Sequence, residues 1–290
     1  MAPTSADPSG AREWAGRMIQ WNPARATVKR VVHAGAGVRG RWLEQRGQVP
    51  AIAHLYAAGS PKAGSQWMKA LFDHPVVRAH TGLFTLPQLD YQQNPARGFP
   101  PGTFVPGLYL SHEEYLQIPH RHPHRLVYMF RDPRDLLVSG YHSTVRTHRK
   151  VHLPELERFR DEVRALPFDE GLLRLIRKAA PRLREIETWV GREGPEVATF
   201  RLEEVDAEPR TEVDRMLRHA GVVLTATELE AVLADVSRDA LQARDLARRG
   251  DGQSHYRVRR ETFRDVFGPE HHAAVAEVVP GLVERLGYPT

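Results

Sequence analysis

A single lysine in a turn shaped to hold an anion is the first place in this chain where chemistry is legible. The run Leu55-Tyr-Ala-Ala-Gly-Ser-Pro-Lys-Ala-Gly-Ser-Gln-Trp-Met-Lys-Ala-Leu-Phe72 reads as a short apolar strand, a tight Gly/Pro/Ser-rich turn and an amphipathic helix. Such a turn directs backbone N–H groups and a helix N-terminus at one small space, which suits a phosphate or a sulfate. Lys62 adds a mobile positive charge to that space, and Ser65 is placed to cap the helix or to donate to the same anion.

A second constellation is Leu126-Val-Tyr-Met-Phe-Arg-Asp-Pro-Arg-Asp-Leu-Leu-Val-Ser-Gly-Tyr141. A buried strand delivers Arg131 at its carboxyl edge, where open α/β sheets bind ligands. Ser139 lies about two helical turns into the helix that follows. The two side chains can grip one phosphate together, the arginine through paired donors. Taken alone, the Arg-Asp-Pro-Arg-Asp turn reads as helix capping and surface ion pairing. Beside the lysine turn it reads as a second anion site.

These residues need a scaffold of alternating strands and helices. Strands are expected at 52–57, 104–110, 126–130 and 197–202, with helices at 65–73, 133–146, 169–190, 209–220, 226–235, 237–248 and 269–286. Pro133 sits where a helix tolerates it best, in the first turn. Residues 13–46 predict one or two helices outside the core, and 86–107 a long loop of the kind that carries function. The alternation predicts a mostly parallel sheet covered on both faces, an α/β three-layer sandwich.

Bulk properties exclude several classes. With 290 residues the chain can bury a full core. It is 41% hydrophobic and holds no apolar run near the roughly eighteen residues of a membrane span. The first residues show no basic stretch leading into an apolar one, so a cytoplasmic location is expected. The lack of cysteine agrees with that and removes disulfides and thiolate metal sites. A net charge of +5 suits a polyanionic ligand, yet the basic residues are scattered and no recognition helix or RNA-binding aromatic signature appears. No nucleic-acid partner is expected.

With both motifs in hand, the chain resembles the cytosolic-type sulfotransferases that use 3′-phosphoadenosine 5′-phosphosulfate (PAPS). Ser60-Pro-Lys-Ala-Gly-Ser-Gln-Trp67 is similar to that family's 5′-phosphosulfate loop, and Val127 to Ser139 to its 3′-phosphate motif. Phe200-Arg-Leu-Glu-Glu-Val205 stands where the family has a nucleotide-contacting strand end. Ser237 stands at a further nucleotide-contacting serine, and residues 255–267 resemble the segment that closes over the cofactor. The resemblance implies a P-loop-NTPase-like sulfotransferase fold over residues 51–290, preceded by an N-terminal extension at 1–50. It implies that Lys62, Ala63, Gly64, Ser65, Gln66, Trp67, Arg131, Ser139, Leu202, Ser237, Arg257 and Arg259 bind PAPS or its product PAP. It further implies that Lys62 stabilises the leaving phosphate, that His112 is the base, with adjacent Glu113 as the substitute, and that the acceptor is a small molecule or carbohydrate. Three departures stand out. Val258 interrupts the usual basic pair of the closing segment, where Arg259 or Arg260 can substitute; Leu202 replaces an aromatic residue; and Gln66 replaces a hydroxyl residue.

Two other readings of the loop are a P-loop nucleotide kinase and a non-catalytic nucleotide-binding module. The lysine precedes Gly64 instead of following it, and no magnesium-binding pair is evident, which disfavours the kinase. Gly35-Ala-Gly-Val-Arg-Gly40 fits a dinucleotide pattern but no acidic residue follows at the right distance. His120, His122 and His124 are expected in a solvated turn, without metal, and residues 142–152 as an exposed helix end and loop.

Overall fold

The structure, a computed structural model, describes residues 23–87, 95–147, 154–249 and 261–289. Helix α1 (Pro23–Gln45) precedes strand β1 (His54–Gly59), whose turn leads into α2 (Ser65–Phe72). Helix α3 (Pro75–Thr81), the two-residue strand β2 (Phe84–Thr85) and strand β3 (Thr103–Leu108) follow, then α4 (His112–Leu116) and β4 (His124–Phe130). Next come α5 (Pro133–His142), α6 (Pro154–Ala165), α7 (Phe168–Glu187) and β5 (Val197–Arg201). The remainder is helical: α8 (Leu202–Ala207), α9 (Pro209–His219), α10 (Ala226–Val236), α11 (Arg238–Arg249), α12 (Phe263–Val266), α13 (Pro269–Val278) and α14 (Leu282–Arg285).

The strands form one sheet in the order β2-β3-β1-β4-β5, and every pair is parallel. All residues of β1 and β3 are buried, as continuous runs in a sheet covered on both faces must be. From β1 the chain passes to the edge strand β2, returns inward to β3 beside β1, then crosses to β4 and β5 on the other side. This reversal places the topological switch point at the carboxyl end of β1, where the lysine turn begins. Strand β3 contains Pro106 and Gly107, and its register with β1 shifts between Tyr56 and Ala58. A proline cannot donate a ladder bond, and Gly107 (φ 66) absorbs the irregularity.

Helix α2 packs on β1 and β3 through Met68, Leu71 and Phe72, with the Phe72 and Phe104 rings 5.3 Å apart. Helix α9 lies against β4 and β5, while α7 packs against α5 and α13. Trp189 is wholly buried, stacks on Tyr128 and donates its indole N–H to the Leu110 carbonyl at 2.9 Å. Helix α1 is tied down by Arg39, which donates to the carbonyls of Gly82 and Gly102. No described helix is long and apolar enough to cross a membrane.

The expected strands are present within about two residues of their ends, as boundaries set by fraying ends allow. The expected loop over 86–107 instead contains the start of β3, and the helix expected over 269–286 is split into α13 and α14 at Pro280-Gly281. Helices α3, α4, α6, α8 and α12 add to those expected; all but α6 are seven residues or fewer, too short for a clear period, and α6 is strongly polar. The segment Gly35 to Gly40 lies inside continuous α1 and forms no phosphate-binding turn. His142 is buried, not part of an exposed helix end, and its Nε2 lies 2.6 Å from Glu261.

The histidines also depart from expectation. His54 and His124 open β1 and β4 at the edge of the sheet opposite the lysine turn. His120 stacks on His124 with ring centroids 3.8 Å apart, Tyr115 hydrogen-bonds His124 Nε2 at 2.7 Å, and His122 pairs with Glu44. Burial pushes His54 and His120 down to about 4 and lowers His124; neighbouring imidazoles act in the same direction on His54 and His120, and Glu196 opposes them at His120 and His124. An unfolded chain takes up these protons as the pH falls below about 6.5, whereas the folded chain resists until about 4 for His54 and His120. Stability present above that upper value is therefore lost progressively as the pH falls. Thermal unfolding should show a Tm lower by about 3 °C or more at pH 5 than at pH 7, with a smaller drop in His120→Leu. A Tm independent of pH over this range would contradict the assignment.

Candidate active site

The loop after β1 is a tight turn carrying strain at the lysine. Ala63 N–H donates to the Ser60 carbonyl at 3.1 Å, closing a four-residue turn with Pro61 second and Lys62 third. Lys62 has φ 76, the one positive value at a non-glycine position among the described residues. A type II turn requires that conformation at its third residue, which normally selects glycine. A side chain held there costs about 1–2 kcal/mol and persists only where its surroundings fix it. Gly64 follows in the same left-handed region, as the N-cap of α2, and no side chain caps the helix. A Cβ on Gly64 would stand 3.2 Å from Leu202 Cδ1, so glycine is needed for both conformation and space.

Arg131 supplies much of the surrounding constraint. It leaves the end of β4, next to β1 in the sheet, and donates from Nη1 to the Lys62 carbonyl at 3.1 Å. It is only 4% exposed. Burial lowers its pKa, while Asp135 and Glu203 act against that shift. The two anion motifs therefore meet through one hydrogen bond.

Beneath them lies a buried ionic network. Asp132 caps α5 and takes a paired interaction from Arg134, at 3.0 Å from Nε and 2.8 Å from Nη2. The Arg-Asp-Pro-Arg-Asp turn thus does contain a cap and an ion pair, but both are buried, not on the surface. The Arg134 guanidinium lies 3.8 Å from the centre of the Phe263 ring, and the Phe263 N–H donates to Asp135 at 2.9 Å. Glu203, whose carboxyl is raised by burial, accepts from the Asp132 N–H and from the Tyr288 hydroxyl. The C-terminal tail is thereby fastened to the site.

The other predicted residues are distributed around this edge. Ser65 does not cap α2; its hydroxyl hydrogen-bonds the Tyr109 hydroxyl at 2.9 Å. Ala63 is buried, Gln66 is exposed and Leu202 is buried against Gly64. Trp67 donates from Nε1 to the Val236 carbonyl at 3.0 Å, which brings Ser237 to the same side of α2. The Ser237 hydroxyl donates to the Ala234 carbonyl and accepts from the Ala240 N–H, joining α10 to α11. Ser139 is half-buried on α5. Arg257, Arg259 and Arg260 lie outside the described residues.

His112 lies at the first position of α4, not directly on a strand end, with Ser111 as the N-cap. Its backbone N–H donates to Thr188 Oγ1 at 2.9 Å, and its ring packs edge-on against Trp189. Burial lowers the imidazole pKa; Arg192 adds to the shift and Glu113 opposes it. Glu113 itself is held low, chiefly by a backbone hydrogen bond. The imidazole is thus neutral near pH 7, as a base must be. Tyr109, Glu203, Tyr288 and Arg238 were not singled out as site residues from the sequence. Arg238 pairs with Asp206, and both act on the charge of Arg131.

The molecule is thus an α/β protein with a lysine turn at the switch point of a parallel sheet and a buried arginine on the adjacent strand. The sequence matches the family described as Sulfotransferase domain over residues 53–278, most of its length, and the chain belongs to that family. No curated protein matches it significantly. Among solved structures it is similar to mouse sulfotransferase SULT7A1 complexed with PAP, with 13% identity, a TM-score of 0.56, and coverage of 81% of this chain and 88% of that one. It is similar also to retinol dehydratase in complex with androsterone and the inactive cofactor PAP, with 14% identity, a TM-score of 0.53 and coverage of 80% of each chain. A retinol dehydratase complex with retinol and PAP gives 15% identity and a TM-score of 0.52, covering 81% of this chain and 82% of that one. At these identities the likeness concerns the fold.

The strained turn yields a sharp test. Lys62→Gly should raise stability in urea unfolding by about 0.5–1 kcal/mol, the left-handed penalty less the added chain entropy of glycine. Lys62→Ala keeps the Cβ and should bring no such gain. Equal stability of the two variants would show that the turn is not strained.

Proposed function

We propose that this sulfotransferase moves a sulfuryl group from PAPS to a hydroxyl or amine of a small-molecule or carbohydrate acceptor. The observation that carries this reading is the Arg131–Lys62 hydrogen bond, which joins a candidate 3′-phosphate site to a candidate phosphosulfate loop. The fit to PAPS rests on the uncapped start of α2, the glycine that no side chain can replace without strain, and the buried guanidinium beside them. The PAP held by the solved relatives, and the androsterone or retinol in two of them, support the same reading.

When bound, PAPS supplies the sulfuryl group and a phosphate leaving group. Lys62 would supply the positive charge that neutralises the leaving phosphate. The backbone N–H groups at the start of α2 and the Ser65 hydroxyl hold the phosphosulfate oxygens. Arg131, with one donor engaged on Lys62, would hold the 3′-phosphate together with Ser139. Trp67 offers an aromatic face to adenine, with Leu202 and Ser237 completing that side and Arg257 and Arg259 in the closing segment. An imidazole nitrogen of His112 accepts the acceptor's proton. Positioning and electrostatics carry most of the rate, as in phosphoryl transfer.

Turnover of radiolabelled PAPS against a panel of hydroxyl and amine acceptors tests the proposal. Lys62→Ala should lose about 10²–10³-fold in kcat with its fold intact, and undiminished turnover in that variant would overturn the mechanism. His112→Ala should lose about 10²–10⁴-fold. Because the His112 pKa is lowered, wild-type kcat/KM should stay level on descending through pH 7 and fall only below about 6.5. A fall beginning above pH 7 would exclude His112 as the base.

A further inference from the structure

The hydrogen bond between Ser65 and Tyr109 links the two halves of the site, and the reaction as described makes no use of it. Tyr109 immediately follows β3, past the Pro106-Gly107 irregularity, and lies three residues before His112. Its hydroxyl reaches across to α2 and meets Ser65 Oγ at 2.9 Å. Behind it the same run is pinned to a different part of the molecule. Trp189 Nε1 donates to the Leu110 carbonyl, and the His112 N–H donates to Thr188 Oγ1. The run from Tyr109 to His112 is therefore held on one side by the end of α7 and the turn after it, and on the other by the lysine loop.

Either hydroxyl can donate in this bond, and general acidity favours the phenol. A phenol is far more acidic than an aliphatic alcohol and is the better donor of the two. With Tyr109 donating, the lone pair of Ser65 is engaged and the serine proton is left to point elsewhere. The serine oxygen does not accept from the helix N–H groups either, since the N-cap is Gly64 and no side chain caps α2. The serine proton can then be directed at an anion seated on the helix start, strengthened by the phenol behind it, as hydrogen-bonded chains are.

We infer that Tyr109 is a positioning residue for the sulfuryl donor: it orients the Ser65 hydroxyl toward the 5′-phosphosulfate. This rests on the PAPS reading above. The phenol acts through the serine and does not itself touch the nucleotide.

The test is a double-mutant cycle in calorimetric titration with PAP, using wild type, Tyr109→Phe, Ser65→Ala and the double variant, each checked for an unchanged Tm. Tyr109→Phe and Ser65→Ala should each weaken PAP binding by about fivefold, the scale of one oriented hydrogen bond. The double variant should be no weaker than Ser65→Ala alone. Ser65→Thr, which keeps the hydroxyl, should remain sensitive to Tyr109→Phe. Tight binding by wild type with additive losses, or with no loss in Tyr109→Phe, would overturn this inference alone. Failure of wild type to bind PAP would overturn the donor assignment and this inference with it.

Discussion

The arrangement depends on one buried guanidinium holding one backbone carbonyl. Lys62 adopts a conformation that L-residues avoid, and the carbonyl this exposes is taken by Arg131 from the neighbouring strand. A glycine would relax the turn but would remove the only side-chain cation in it. The lysine is therefore kept in place by its surroundings, and the strain falls at the residue assigned to the chemistry, where such strain commonly collects. Arg131 serves two ends at once: it fixes the loop and presents charge at the carboxyl edge.

Support for that arginine is drawn from distant parts of the chain. Glu203 sits just past β5, Asp135 in the first turn of α5, and Tyr288 near the C-terminus, and all three belong to the network around it. Burying so many charges is favourable only when each is paired or hydrogen-bonded, since one unpaired member costs several kcal/mol. The network consequently couples the order of the loop to the docking of the tail and of the segment that begins at Phe263. The sheet topology makes this possible, because β1, β3, β4 and β5 all end on the same edge.

The parts legible in the sequence were those with local causes. Short apolar runs mark β1 and β4, and the Gly/Pro/Ser turn with Lys62 and the Arg131-to-Ser139 spacing point to anions. What stayed hidden depends on contacts between residues far apart in the chain. Nothing near Tyr109 announces a partner at Ser65, and nothing near Tyr288 points to Glu203. The alternating histidines near a proline look like a polar turn, whereas ring contacts with His54 and Tyr56 of β1 draw them inward. Of the two roles open to Ser65, capping falls away because Gly64 takes that position through its backbone alone.

The central claim is that two anion sites, joined through Arg131 and Lys62, read a nucleotide phosphorylated at both its 3′ and 5′ positions. Calorimetric titration of the wild-type protein with PAP and, separately, with adenosine 5′-monophosphate addresses it most directly. The account predicts that PAP binds at least about tenfold more tightly, a difference of about 1.4 kcal/mol assignable to the 3′-phosphate. Equal affinities for the two nucleotides would contradict it.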